Sequence, residues 1–299
     1  MLEDMALISQ EEVPEIGGYP VGGAALRHRF RVRPALLLAS MWLSVSIFVA
    51  IFANLLPIQN PMTTNLLSSY QAPSWVHWFG TDQLGRDQFA RVVFGARVSL
   101  TVGFSATAIA AIIGGVGGLV GGYLRRATDT LIMGLMDVLL AFPAFVMALA
   151  LTSFLGASIR NVIIAIAILA IPVFARLTRS LTLSLSQRDF VQVARTLGTP
   201  TWRILAFEIA PNLATTLIAF IPLVVAIAIV IEGSLSFLGV GVPPPTPTWG
   251  TMISQGQANF TSAPYMTLLP AAVMFVTILA LNAVGRWLNS RFDRGVNSL

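Results

Sequence analysis

Two carboxylates, Asp137 and Glu232, lie in long apolar runs and are the first residues to weigh for chemistry. An ionisable side chain in hydrocarbon costs at least about 2.5 to 3.5 kcal/mol unless it faces protein or water, so both are expected to point inward. Two readings stay open for them: a place on a translocation path, or a structural acceptor for arginine or for free backbone N–H groups. Two isolated carboxylates make no proton relay across a membrane, and His28 and His77 lie outside the apolar runs. The chain has no cysteine, so it offers no disulfide, thiolate metal site or cysteine nucleophile. All 18 basic residues are arginine. Without lysine the chain cannot build a G-x-x-x-x-G-K-[ST] phosphate loop, so any ATP must be bound by another chain. No catalytic or metal-binding residue is assigned, and no cofactor is expected on this chain.

The elements that carry these residues are set by hydropathy. Of the 299 residues, 56% are hydrophobic and only 10% charged, with a mean hydropathy of +0.79. A soluble domain carries roughly 25% charged residues. Apolar runs of about 20 residues predict six transmembrane helices, over about 35–56, 98–124, 131–155, 161–178, 213–232 and 266–288. The fold class is therefore all-α and polytopic, with membrane lipid as its main neighbour. Residues 1–34 are expected to be a cytoplasmic tail, polar and partly acidic and without a cleavable signal; residues 35–299 form the membrane domain. With external loops at 57–97 and 233–265 and a cytoplasmic segment at 179–212, fourteen arginines fall inside and only Arg86, Arg91, Arg97 and Arg160 outside. That bias places both termini in the cytoplasm. The net charge of +5 does not point to nucleic acid, because the arginines are scattered between apolar runs.

The second predicted span repeats small residues every fourth position, Ala106, Ala110, Gly114, Gly118 and Gly122, with Gly103, Thr107, Ala111 and Gly115 beside them. Such ridges let helix backbones approach closely in lipid, either within the subunit or against a partner. Pro143, Pro172 and Pro222 fall inside spans and favour kinks, which would line a gate or shape the bundle. The run from Pro243 to Pro247 is expected to be extended and stiff.

The cytoplasmic segment is too polar to span and reads as a helical hairpin. Phe190, Val193, Ala194 and Leu197 recur at i, i+3, i+4, i+7 and end at Gly198, with Gln192 and Arg195 on other faces. A second half starts at Thr199-Pro200 and repeats the spacing with Trp202, Leu205, Ala206 and Ile209 before Pro211 stops it. Such a pair lies on the membrane or docks into a partner's groove.

The run FVQVARTLGTPTWRILAFEIAPN resembles the EAA loop of binding-protein-dependent ABC importer permeases, E-A-A-x-x-x-G followed by I-x-L-P. Ala194, Gly198, Ile209 and Pro211 keep the spacing, Gln192 stands for the glutamate and Val193 for the first alanine. Three further stretches, from Gly80 to Leu100, Met136 to Leu151 and Glu232 to Ile253, are similar to stretches found together in the second permease subunit of dipeptide, oligopeptide and nickel importers. The resemblance implies a type I importer permease fold in the bacterial cytoplasmic (inner) membrane. It also implies a hairpin, 188–211, seated in an ATP-binding subunit. The partners it implies are a second homologous permease subunit, two cytoplasmic ATP-binding subunits carrying ATP and Mg, and an extracytoplasmic solute-binding protein. Peptides are favoured over nickel, because the spans hold no histidine and the chain no cysteine. A gradient-driven secondary transporter is the rival reading, marked by a mid-membrane polar chain or inverted repeats.

Overall fold

The computed structural model describes residues 34–296, with side chains placed through Arg291; the expected tail before residue 34 lies outside the described residues. Among the described residues, five helical stretches are long and apolar enough to cross a membrane. They are α1 (Pro34–Phe52), α2 (Gln88–Leu124), α5 (Ile159–Leu185), the continuous run Thr201–Phe237, and α10 (Tyr265–Val296). Between α2 and α5, α3 (Arg126–Leu140) and α4 (Ala144–Leu155) are bent by 86° and make a sixth crossing if taken as one span. Among the described residues the only β pairing is an isolated bridge between Thr81 and Asp87.

Several expected boundaries move, each for a local reason. The third span is not one helix: Pro143 lacks an N–H and disfavours helical geometry at Phe142, so the chain breaks there. Alone, the 15 residues of α3 rise only about 22 Å, less than the hydrocarbon thickness of about 30 Å. The fourth span runs on to Leu185, which shortens the expected cytoplasmic segment. The second span starts ten residues early, so the external loop ends at Asp87 and not at Arg97. Asp87 caps α2, its carboxylate accepting from the Ala90 N–H at 2.8 Å. In the segment expected as the second external loop, α8 (Ala210–Phe237) continues to Phe237 and a short helix α9 (Trp249–Gln257) follows. The prolines at 243–247 are not extended: the chain turns at Pro244 and Pro245.

The loop between α1 and α2 is folded around buried charge. Asp82 accepts from the backbone N–H groups of Leu84 (2.8 Å) and Arg86 (2.9 Å) and from Arg86 Nε (2.6 Å). His77 meets Asp87 at 3.0 Å, and Arg91 reaches across to Gln255 of α9 at 3.0 Å. These contacts fasten the loop to the N-terminal end of α2 and to α9.

Helix α2 is the centre of the bundle, and α5 is its principal partner. Its glycine ridge faces α5 inside the subunit. A methyl at Gly114 would overlap the Ile171 carbonyl, one at Gly118 the Ala175 carbonyl, and one at Gly122 would stand 3.0 Å from the Arg179 carbonyl. Ala110 is buried in the same seam with Phe174 and Val224. The neighbouring ridge faces α8, where Gly103 abuts Ile229 and Val225. With no Cβ in the way, backbones meet directly and dispersion contacts accumulate.

Gly118→Leu should therefore destabilise the detergent-solubilised chain by about 1–3 kcal/mol or more, read as a lower thermal midpoint. Gly134→Ala, in a helix and with no atom within 4 Å of the added methyl, should not lower the midpoint.

Candidate coupling hairpin and intramembrane charges

After α5 the chain makes a turn and forms α6 (Asp189–Thr196), then α7 (Thr201–Arg203), which passes through a π-helical stretch (Ile204–Ile209) into α8 (Ala210–Phe237). Gly198, at φ +76°, ends the first arm in the left-handed region, where a side chain is strained. The Thr199 N–H closes that turn on the Ala194 carbonyl at 3.0 Å. The second arm starts at Thr201, with Pro200 in the N-cap position, one residue later than expected.

Pro211 does not stop the second arm. Without an N–H it cannot join the i→i−4 ladder, and the helix widens before it: the Ala210 N–H reaches back to the Leu205 carbonyl, five residues away. Asn212 Nδ2 then donates to the Glu208 carbonyl at 2.6 Å. Wider turns change the repeat, so residues five apart share a face. Ile204 and Ile209 both turn inward, whereas Trp202 and Phe207 both turn outward with ring centroids 6.3 Å apart. The expected pattern of Trp202, Leu205, Ala206 and Ile209 on one face is therefore corrected.

The hairpin has two faces. Val191, Ile204, Ile209 and Leu213 are buried against Leu119, Tyr123, Leu181 and Leu185, which ties it to the ends of α2 and α5. Arg195 adds a hydrogen bond to the Tyr123 hydroxyl at 3.1 Å and sits 4.6 Å over its ring. The other face is apolar and open: Phe190 is 40% exposed, Val193 56%, Leu197 79%, Trp202 65% and Phe207 65%. Ala194 is half-buried between the faces, while Gln192, Gly198 and Pro211 are exposed. Gln192 Nε2 donates to the Ser186 carbonyl at the end of α5 at 3.2 Å. A glutamate there could only accept, so it could not make this bond.

The two intramembrane carboxylates separate in role. Glu232 is fully buried in α8, accepting from Ser99 of α2 at 2.9 Å and from Ser236 at 2.7 Å. Trp249, also fully buried, donates its indole N–H to the Val92 carbonyl at 3.2 Å, so α2, α8 and α9 meet at one point. Asp137 does not turn into the subunit. It lies on the open side of α3, paired with Arg176 of α5 at 2.6 Å, with side-chain exposures of 63% and 54%. A carboxylate cannot be left facing lipid, and among the described residues its only partner is that arginine.

A chain with this helix order and hairpin matches the model of the binding-protein-dependent transport system inner membrane component over residues 113–298. It belongs to that family. The permease is 41% identical over 266 residues to the glutathione transport system permease protein GsiD of Escherichia coli O6:K15:H31, covering 89% of this chain and 88% of the relative. The GsiD of Shigella boydii serotype 4 matches equally. Its fold is similar to a chain of the inward-facing MetNI methionine ABC transporter, with a TM-score of 0.55 at 15% identity, over 67% of this chain and 95% of that one. The protein is thus an inner-membrane, multi-pass permease of an ABC importer, a class that works with ATP-binding and substrate-binding components.

Val191, Ile204, Leu213 and Phe207 are hairpin residues that sequence reasoning missed. Apolar residues occupy 190, 191 and 193 alike, so periodicity alone could not say which turns inward. Pro211 was the one available signal for the altered register.

Gln192→Glu should loosen the hairpin by about 1 kcal/mol, seen as faster amide exchange in α6 with α2 unaffected. Glu232→Leu should remove the acceptor of the Ser99 and Ser236 O–H groups and cost about 1–3 kcal/mol of stability per buried group, measured by thermal unfolding in detergent.

Proposed function

We propose that the permease forms half of the solute pathway of an ATP-driven peptide importer and receives its drive through the hairpin at 188–211. One observation carries the reading: five large apolar side chains, Phe190, Val193, Leu197, Trp202 and Phe207, stand open on an element whose opposite face is packed onto α2 and α5. A surface of that kind is suited to a groove on a partner, and its inner face passes displacement to the spans.

The partner is an ATP-binding subunit, one of two, which carries ATP and Mg and performs the hydrolysis. A second homologous permease subunit completes the pathway, and a solute-binding protein outside delivers cargo. Both termini and the hairpin then lie in the cytoplasm, in keeping with the arginine distribution. The drive is a rigid-body shift. Nucleotide binding favours one of two packed arrangements, and a hairpin fixed to α5 and continuous with α8 carries that preference into the bundle. Peptide cargo is supported by the relatives named for transport of glutathione, a tripeptide.

The test is purification with the cognate ATP-binding subunits after substitution on each face. Leu197→Glu and Trp202→Glu should lower co-purification and binding-protein-stimulated ATPase by tenfold or more, about 1.4 kcal/mol, with the permease itself as stable as wild type. Unchanged assembly and stimulation in both would refute the docking role.

A further inference from the structure

Helices α3 and α5 are joined by two ion pairs of different kinds. Near the α2 end of α3, Arg179 grips Asp129 with both Nε (2.5 Å) and Nη2 (2.6 Å), so both carboxylate oxygens are taken. That pair is a closed brace. Farther along, Arg176 meets Asp137 through a single contact, Nη2 to Oδ1 at 2.6 Å. Among the described residues, Asp137 Oδ2 and Arg176 Nε and Nη1 have no partner. More than half of each side chain is exposed.

The depth of this pair makes its exposure informative. Asp137 stands about 16 Å along α3 from Arg126, and Arg176 about 14 Å along α5 from Leu185, at about 1.5 Å per residue. Both belong to helices that qualify as membrane spans, where open charges cannot face acyl chains. Small and polar residues stand beside them, among the exposed apolar Leu131, Leu135 and Val138. Ser180 and Ser184 follow Arg176 at i+4 and i+8 on the exposed face of α5, and Thr130 and Gly134 precede Asp137 on the exposed face of α3. A Cβ at Gly134 would have no atom within 4 Å.

We infer that Asp137 and Arg176 form a charged subsite on the solute pathway that takes the two opposite charges of a zwitterionic solute. The free Oδ2 receives an ammonium, and the free guanidinium N–H groups receive a carboxylate. Because the two charges hold each other when the site is vacant, neither is left unpaired between transport events. This inference rests on the peptide-importer reading above and supplies the chemistry by which a peptide's free termini are recognised inside the membrane.

The chain has no cysteine, so Ser180→Cys provides its single thiol, one turn from Arg176. In the full transporter in proteoliposomes, without nucleotide, a membrane-impermeant thiol reagent should label S180C. No labelling would mean that lipid or the second permease covers the pair, which overturns the subsite. In ATP-driven uptake, Asp137→Asn should slow a tripeptide with free termini by at least about tenfold relative to wild type, yet leave its N-acetylated form unchanged. Arg176→Gln should do the same for the free acid against the C-terminal amide. Equal loss of every peptide in both variants would mean a structural brace and would overturn the subsite alone. If the wild-type complex takes up no peptide while S180C is labelled, the substrate reading falls, and the zwitterion with it.

Discussion

Where acyl chains surround a bundle, the hydrophobic effect gives one helix no reason to prefer another over lipid, so close packing has to hold the bundle together. In this permease that contact is the seam between α2 and α5, where Gly114, Gly118 and Gly122 bring the backbone of α2 against the Ile171, Ala175 and Arg179 carbonyls. The other face of α2 meets α8 at Gly103, and its N-terminal end is tied to α8 and α9 through Ser99, Glu232 and Trp249. Remove the close approach and the flanking contacts lose their common support.

The hairpin inherits its position from that seam. Its buried side chains seat on Leu119 and Tyr123 of α2 and on Leu181 and Leu185 of α5, the same two helices. Its second arm is the beginning of the next span, because the π-helical stretch lets the chain pass Pro211 without a break. A load applied to the open face of the hairpin therefore has a continuous helical route along α8 and a packed one onto α2. Together these suit the element to the proposed role of a lever on the bundle.

Charge inside the membrane is handled in three ways. Glu232 is enclosed and hydrogen-bonded, Asp129 is gripped by Arg179 with both oxygens taken, and Asp137 is paired but left open. Enclosure and gripping tie elements together at little risk, since no charge meets lipid. The open pair is different, because its stability in the membrane requires something beyond this subunit to cover it or wet it. Only the two closed arrangements are explained by the fold of a single chain.

Hydropathy and arginine placement by themselves determined the membrane class, the approximate number of spans and the location of the hairpin, because those follow from the transfer cost of whole segments. The small-residue repeat of α2 was likewise legible, since four-residue spacing puts those positions on one face whatever surrounds them. Only the tertiary structure decided that this ridge meets α5, that Pro143 breaks a span while Pro172 and Pro222 sit inside continuous helices, and that Val191 and Ile204 turn inward while Phe190 and Phe207 turn out. The physical reason is the same in each case. Periodicity specifies which residues share a face but not what that face meets, and a proline breaks or bends a helix according to whether neighbours can satisfy the carbonyls it frees.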